Sequence, residues 1–309
     1  MSGRTRLLAA VASAILIPGC HSEPDYDGRP IAAWYADLRD TSAAKRAHAA
    51  EIIAQAAPDH PESVDRLLAA LESESDTSLH VILANALGDA VSKHDPSPAV
   101  FASLARLTAD EHQSVRTAAA IALARVVNAS PANQPISTQA ANALTAMFQA
   151  ADDETRAAAA DAVGAIASVR PNDAVPFARS LGQLVRADPV LLVRLDALQA
   201  FVRIPTSDDV AVPVYASAIH DGWPSMVSTA MKGLGRAPRV AGLLVDSILP
   251  VLQSDDVVTR IMAIRALAAI PAKASLQTTR ALQRAAVDRD SMVQAEARLA
   301  LKGLGAARP

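Results

Sequence analysis

One side-chain pattern returns along nearly the whole of this chain. Anchored on Arg116, it recurs at Arg46, His80, Arg156, Arg194, Val227, Arg260 and Gln294, with spacings of 33 to 40 residues. Three residues after each anchor stands an Ala or Leu, and seven after it a Leu, Val, Ile or Phe. That offset of three and seven keeps both on one helix face. Self-similarity at this period is the mark of a stacked helix-pair array, in which each unit buries its apolar face only against its neighbours. Aromatics make up only 3% of the 309 residues, while 51% are hydrophobic, so the core must be built from Ala, Leu, Val and Ile. Alanine is the strongest helix former and lets helix axes approach closely. No run of alternating β-branched residues argues for a strand. The expectation is an all-α chain.

A second regularity sits six residues before the anchor. Asp40, Glu74, Asp110, Asp188, Asp221 and Asp288 fill that place in six of eight units. Ala150, near Asp152 and Asp153, and Ser254, beside Asp255, fill it in the other two. The period, the turn acid and the Arg on the second helix resemble HEAT repeats, in particular the short bacterial kind found in phycobilisome-lyase-like HEAT proteins. The resemblance covers about residues 31–306. It implies a right-handed α-solenoid of about eight helix pairs, with the second helices lining the concave surface. The acid is expected to cap the second helix, where a carboxylate meets free N–H groups and the positive end of the helix dipole. The Arg is expected to reach the turn acid of its own or the adjacent unit. Asp40, Arg46, Asp110, Arg116, Asp188 and Arg194 thus read as a structural ladder, with His80 as a further member.

The N-terminus follows different rules. Arg4 and Arg6 precede "LLAAVASAILI", an apolar run of 11 residues. That run is too short to span a bilayer core, which takes about 20 helical residues. A charged start and a short apolar middle match an export signal. The segment ends in "LIPGC", whose Cys20 is the chain's one cysteine, and here it resembles a bacterial lipoprotein signal; Gly19 and Ile17 fit that pattern and Pro18 departs from it. The resemblance implies lipidation at Cys20. The domain reading is a signal peptide over 1–19, a lipid-attached tether over 20–30 and the solenoid over 31–306. Export to the cell envelope follows, with the outer membrane or periplasm preferred. Tyr26, Trp34 and Tyr35 read as an N-terminal cap.

No catalytic constellation emerges. Gly233–Gly235 and Gly303–Gly305 sit at helix ends as C-caps rather than in a phosphate loop. His94 with Asp95, and His112 beside Glu111, are the nearest approach to metal pairs and read as solvated. Neither a metal nor a cofactor is expected, and the chain is not read as an enzyme.

Charge is unevenly spread. Residues 21–100 carry a net −8, residues 101–231 a net −3 and residues 232–309 a net +6. Five residues after the anchor, on the face turned from the core, stand Glu51, Asn85, Ile121, Asp161, Gln199, Lys232, Arg265 and Leu299. These observations predict a groove running from acidic to basic, with Lys232, Arg236 and Arg265 at its basic end and Trp223 as a further contact. The leading functional reading is an exported, lipid-anchored scaffold that holds a protein or peptide along its concave face, with the membrane engaged only through lipid. The alternative implied by the resemblance is a chromophore-attachment or carrier protein. Nucleic-acid binding fits worse: the basic C-terminal third would serve, but the net charge is −3 and an exported chain is in the wrong compartment.

Overall fold

The computed structural model describes residues 25–91, 95–270 and 276–304. The leader, Cys20 and His94 lie outside the described residues. Among the described residues the chain is almost wholly helical, with one two-stranded hairpin at Asp25–Tyr26 and Arg29–Pro30. The helices pair as expected: α1 (Ile31–Asp37) with α2 (Ala43–Ala56), α3 (Glu62–Ser73) with α4 (Thr77–Ala90), and α5 (Pro98–Leu107) with α6 (Gln113–Ala129). Next come α7 (Thr138–Met147) with α8 (Asp153–Val169), α9 (Ala178–Ala187) with α10 (Leu191–Phe201), and α11 (Asp208–Ile219) with α12 (Pro224–Leu234). The seventh first helix is broken into α13 (Pro238–Leu243), α14 (Val245–Ile248) and a 3₁₀ turn (Leu249–Gln253), followed by α15 (Val257–Ala268). The eighth pair is α16 (Leu276–Ala285) with α17 (Ser291–Gly303). The second helices α2, α4, α6, α8, α10, α12, α15 and α17 pack in that order, each on the next. The fold is an all-α repeat solenoid.

Small side chains set the close packing of this inner layer. Ala49, Ala84, Ala119, Ala120, Ala159, Ala160, Ala197, Ala230 and Ala263 are fully or almost fully buried. At Gly88 of α4 an added Cβ would sit 3.0 Å from the Cα of Ala122 on α6, so backbone meets backbone there. The last unit breaks the rule. Four residues after the anchor the first seven units carry Ala50, Ala84, Ala120, Ala160, Leu198, Met231 and Ile264, all buried under the following helix. The eighth carries Arg298, which is exposed. Eight after the anchor, Lys302 likewise stands where the other units carry Ala, Gly or Val. A polar outer face therefore closes the stack at α17, as terminal repeats require.

The ladder exists, and it joins units. Arg46 donates from Nη1 to the carbonyl of Asp40 at 2.9 Å and from Nε to Glu74 of the next unit at 2.8 Å. Arg156 does the same with the Ala150 carbonyl (2.9 Å) and Asp188 (2.7 Å), and Arg194 with the Asp188 carbonyl (3.0 Å) and Asp221 (3.0 Å). Arg260 holds the Ser254 carbonyl (2.7 Å) and Asp288 (3.0 Å). Each Arg thus ties its own turn backbone to the acid of the unit that follows. His80 and Gln294 bond the carbonyls of their own turns, Glu74 and Asp288, and Gln294 also accepts from Arg298.

Several expectations are corrected. The acid six residues before the anchor does not cap the helix. Its carboxylate accepts the N–H two residues later, as Asp40 does from Ser42 (2.8 Å) and Asp188 from Val190 (2.9 Å), and so fixes the turn. The N-cap is that later residue, and Asp76, Asp152, Asp256 and Asp290 cap from there. Where Ala150 leaves the acid out, Arg116 takes the N-cap Asp152 instead, at 2.8 Å. Residues 25–30, expected as tether, fold back on the first pair: Trp34 donates to the Tyr26 carbonyl (2.8 Å), and Arg29 stacks over the Trp34 ring and pairs with Asp37. Trp34 is buried, as a cap should be. Gly235 ends α12 in the right-handed conformation rather than as a left-handed cap.

Candidate interaction surface

The row five residues after the anchor stands free of the core. Glu51, Asp161, Gln199, Lys232, Arg265 and Leu299 are exposed, Ile121 is 39% exposed and Asn85 is half-buried. Flanking positions on the same helices are buried Ala, Leu, Ile and Val, so these are the side chains the inner layer offers to solvent.

The three residues expected at the basic end, and Trp223, are not equivalent. Lys232, in the last turn of α12, and Arg236, just beyond it, are exposed, and their side chains make no hydrogen bond or ion pair with any described residue. Arg265 is already committed: it forms a two-point pair with Glu296 of α17, at 2.9 and 3.0 Å. Its charge ties α15 to α17 and is no free contact. Trp223 is the N-cap residue of α12 and is 53% exposed, at the opposite end of that helix from Lys232.

Arg236 opens onto a trough of about 1240 Å³ between units five, six and seven. Val202, Ile204, Pro205, Tyr215 and Pro238 form its apolar walls, and Arg203, Arg236 and Arg239 line it with Asp208 and Asp209. The acids are spoken for: Asp208 pairs with Arg239 at 2.8 Å and Asp209 with Arg179 at 3.1 Å. Arg203 gives one nitrogen to the Gln199 carbonyl at 2.6 Å. Arg203 and Arg236 are thus the lining cations without an ion pair. Tyr215 packs edge-on against Phe201 with ring centres 5.8 Å apart. Burial pushes its hydroxyl pKa up, against the opposing pull of Arg236. It fits because residue 233 is glycine: a Cβ there would come within 2.6 Å of the Tyr215 hydroxyl.

Next to the trough, Asp161 of α8 and Asp196 of α10 line a smaller recess of about 240 Å³ with Gln199 and Arg203. Burial, then the neighbouring Asp161 charge, pushes the Asp196 carboxyl up to about 6. Burial also raises Asp161, which Arg203 partly offsets. Sequence reasoning missed Arg203, Tyr215 and Asp196. The signal available was a Tyr far from the N-terminal pair in a chain poor in aromatics, and an Arg set just past a helix of 11 residues.

Among the described residues no group of three or more His, Cys, Asp or Glu is arranged to hold a metal ion, and no helix is long and apolar enough to cross a membrane. His112 bonds Asp110 at 3.1 Å, beside Glu111.

No family model matches the chain, and no curated protein matches it. Solved structures do resemble it. An engineered protein is similar over 90% of this chain and 79% of its own, with a TM-score of 0.62 and 21% identity. A second engineered protein is similar over 89% and 96%, with a TM-score of 0.37 and 20% identity. The complex of CpcE and CpcF of phycocyanin lyase from Nostoc sp. PCC7120 is similar over 87% and 97%, with a TM-score of 0.44 and 18% identity. Set beside the geometry above, the first of these likenesses gives the fold alone: an all-α repeat solenoid with a solvent-facing row along its inner helices.

Proposed function

We propose that this chain is a binding protein rather than an enzyme: a lipid-anchored scaffold of the cell envelope that holds a protein partner along its inner helices. An extended acidic segment of the partner lies in the trough at the basic end. One observation carries this reading. Arg236 stands exposed and without an ion pair in the wall of a large trough whose acids are already paired, and Lys232 is likewise exposed and without an ion pair in the last turn of α12. Unpaired cations next to apolar walls favour an acidic, partly apolar occupant and make its binding salt-dependent. Export and the anchor rest on the leader and Cys20.

The test is in-cell cross-linking of a tagged copy, with the captured partner then titrated against variants. Reversing both charges (Lys232→Glu with Arg236→Glu) is expected to weaken binding at least ~10-fold and to flatten its salt dependence. Arg265→Glu serves as the control, because its charge is already matched by Glu296. Equal affinity in wild type and the double reversal sinks the proposal. The apolar walls and cations of the trough also favour a second reading, a carrier for an anionic small molecule or chromophore. Visible absorbance of the purified protein, lost in Arg236→Glu, would put that reading first.

A further inference from the structure

All eight second helices run the same way, so their N-terminal ends lie along one edge of the stack. Two residues before each anchor, in the first helical turn, the side chain is exposed in every unit. In the first four units that residue is Ala44, Ser78, Ser114 or Glu154. In units five, seven and eight it is Leu192, Val258 and Met292, exposed by 59%, 54% and 66%. Unit six has Ser225 there, and the exposed Trp223, two residues earlier, supplies the bulk. Val287, also exposed, joins the row from the turn of unit eight. Exposed apolar residues scattered singly need no explanation. Here they recur at one register place in three of the last four units, with Trp223 two residues earlier in the fourth, and are absent from that place in the four units before.

Most charged groups around this row are already engaged, with Asp256 and Asp290 capping their own helices. Arg194 holds Asp221, Arg260 holds Asp288, and the exposed Arg289 and Asp255 hold each other at 3.0 Å. What the edge offers a partner is therefore apolar contact at the spacing of the units. A body with the same period meets such a row in register at every step, and another copy of this solenoid has that period by construction.

We propose that the occupant is a second copy of this chain, laid antiparallel over the C-terminal half. Leu192 then lies across from Met292 of the second copy, and Trp223 across from its Val258. Such a two-fold contact is self-complementary, the commonest symmetry of soluble oligomers. The direction follows from charge. A parallel pairing sets the two segments of net +6 side by side, whereas the antiparallel one separates them and leaves the acidic N-terminal units projecting at opposite ends.

The experiment is sedimentation of the full chain carrying Cys20→Ser over a range of concentrations. A reversible dimer is expected. Trp223→Asp with Val258→Asp should raise its dissociation constant at least ~10-fold, while Ser78→Asp with Ser114→Asp, the same edge in the polar half, should leave it unchanged. All four positions are exposed, and circular dichroism checks that each variant folds. In the same background, a mixture of Trp223→Cys and Val258→Cys chains should form a disulfide-linked dimer, and Leu192→Cys chains alone should not. A monomer up to ~100 µM overturns the proposal. So does a dimer indifferent to the Asp substitutions, or efficient cross-linking of Leu192→Cys to itself.

Discussion

A single arginine here does two jobs. Arg156 uses Nη1 to satisfy carbonyls of its own turn and spends Nε and Nη2 on Asp188 of the following unit. Both partners of that pair are largely buried. Taking one away strands the other, which is where a buried pair costs most. The acids show the same balance. Burial works to raise the pKa of Glu74, but bonds from Arg46 and the turn N–H groups outweigh it and hold the carboxyl below its ordinary range. Asp196 lacks such help, and the sign of its pH effect follows. Its carboxyl titrates near 4 in the unfolded chain and near 6 in the fold. Between those values the folded state holds the extra proton, so stability falls as pH rises through that window and stays reduced above it. Asp196→Asn is expected to remove this slope and to raise stability at pH 7 by about 1 kcal/mol, a value discounted for partial solvent exposure. Urea unfolding at pH 4 and pH 7 checks it. The alternation of anchor and acid was legible because it repeats. Asp196 was not, because its character comes from a neighbour 35 residues away, which no local spacing reveals.

Between units, the rung is the element that matters; it is missing at His80, which bonds its own turn, and at Val227, and the second gap is informative. Val227 offers no cation, and Ser254, six residues before the next anchor, offers no carboxylate. In the sequence these look like two unrelated departures. The structure relates them, since Arg46, Arg156, Arg194 and Arg260 each meet the acid at that place in the next unit. Restoring the rung tests this. Val227→Arg alone gains only backbone carbonyls, and Ser254→Asp alone leaves a half-buried acid unmatched. Together they should be coupled by about 1–3 kcal/mol in a double-mutant cycle read by urea unfolding. Additive singles would mean that the gap has no partner relation. The broken seventh helix escaped the periodicity for a different reason. Its apolar spacing is helical, but Pro250 lacks an N–H and Gly242 weakens the run, so it splits into short turns.

Across the whole molecule, stability is not expected to be even. Units two to four stack α4, α6 and α8 through buried Ala, with 14- to 17-residue inner helices. Units six and seven combine the missing rung, the trough and the short α13 and α14. Quasi-one-dimensional arrays open locally where interfaces are weak. Amides of α13 and α14 should therefore exchange at least ~10-fold faster than those of α6 and α8, measured by native-state hydrogen exchange. Uniform protection would contradict it. The array itself was legible in the spacing of its anchors. The polar closure at Arg298 and Lys302 is equally present in the sequence, but it becomes visible only once the places four and eight after the anchor are known to face the next unit. The offset of the ladder also says how such a chain can shorten. Excising Val227–Thr259, the 33 residues from one anchor to just before the next, would splice the turn of unit six onto the helix of unit seven. Arg194 would still meet Asp221, Arg260 would still meet Asp288, and the gap would vanish with the excised piece. The piece that can be removed with its rungs intact runs from anchor to anchor, cutting through the first turn of its second helices, and not from one helix pair to the next.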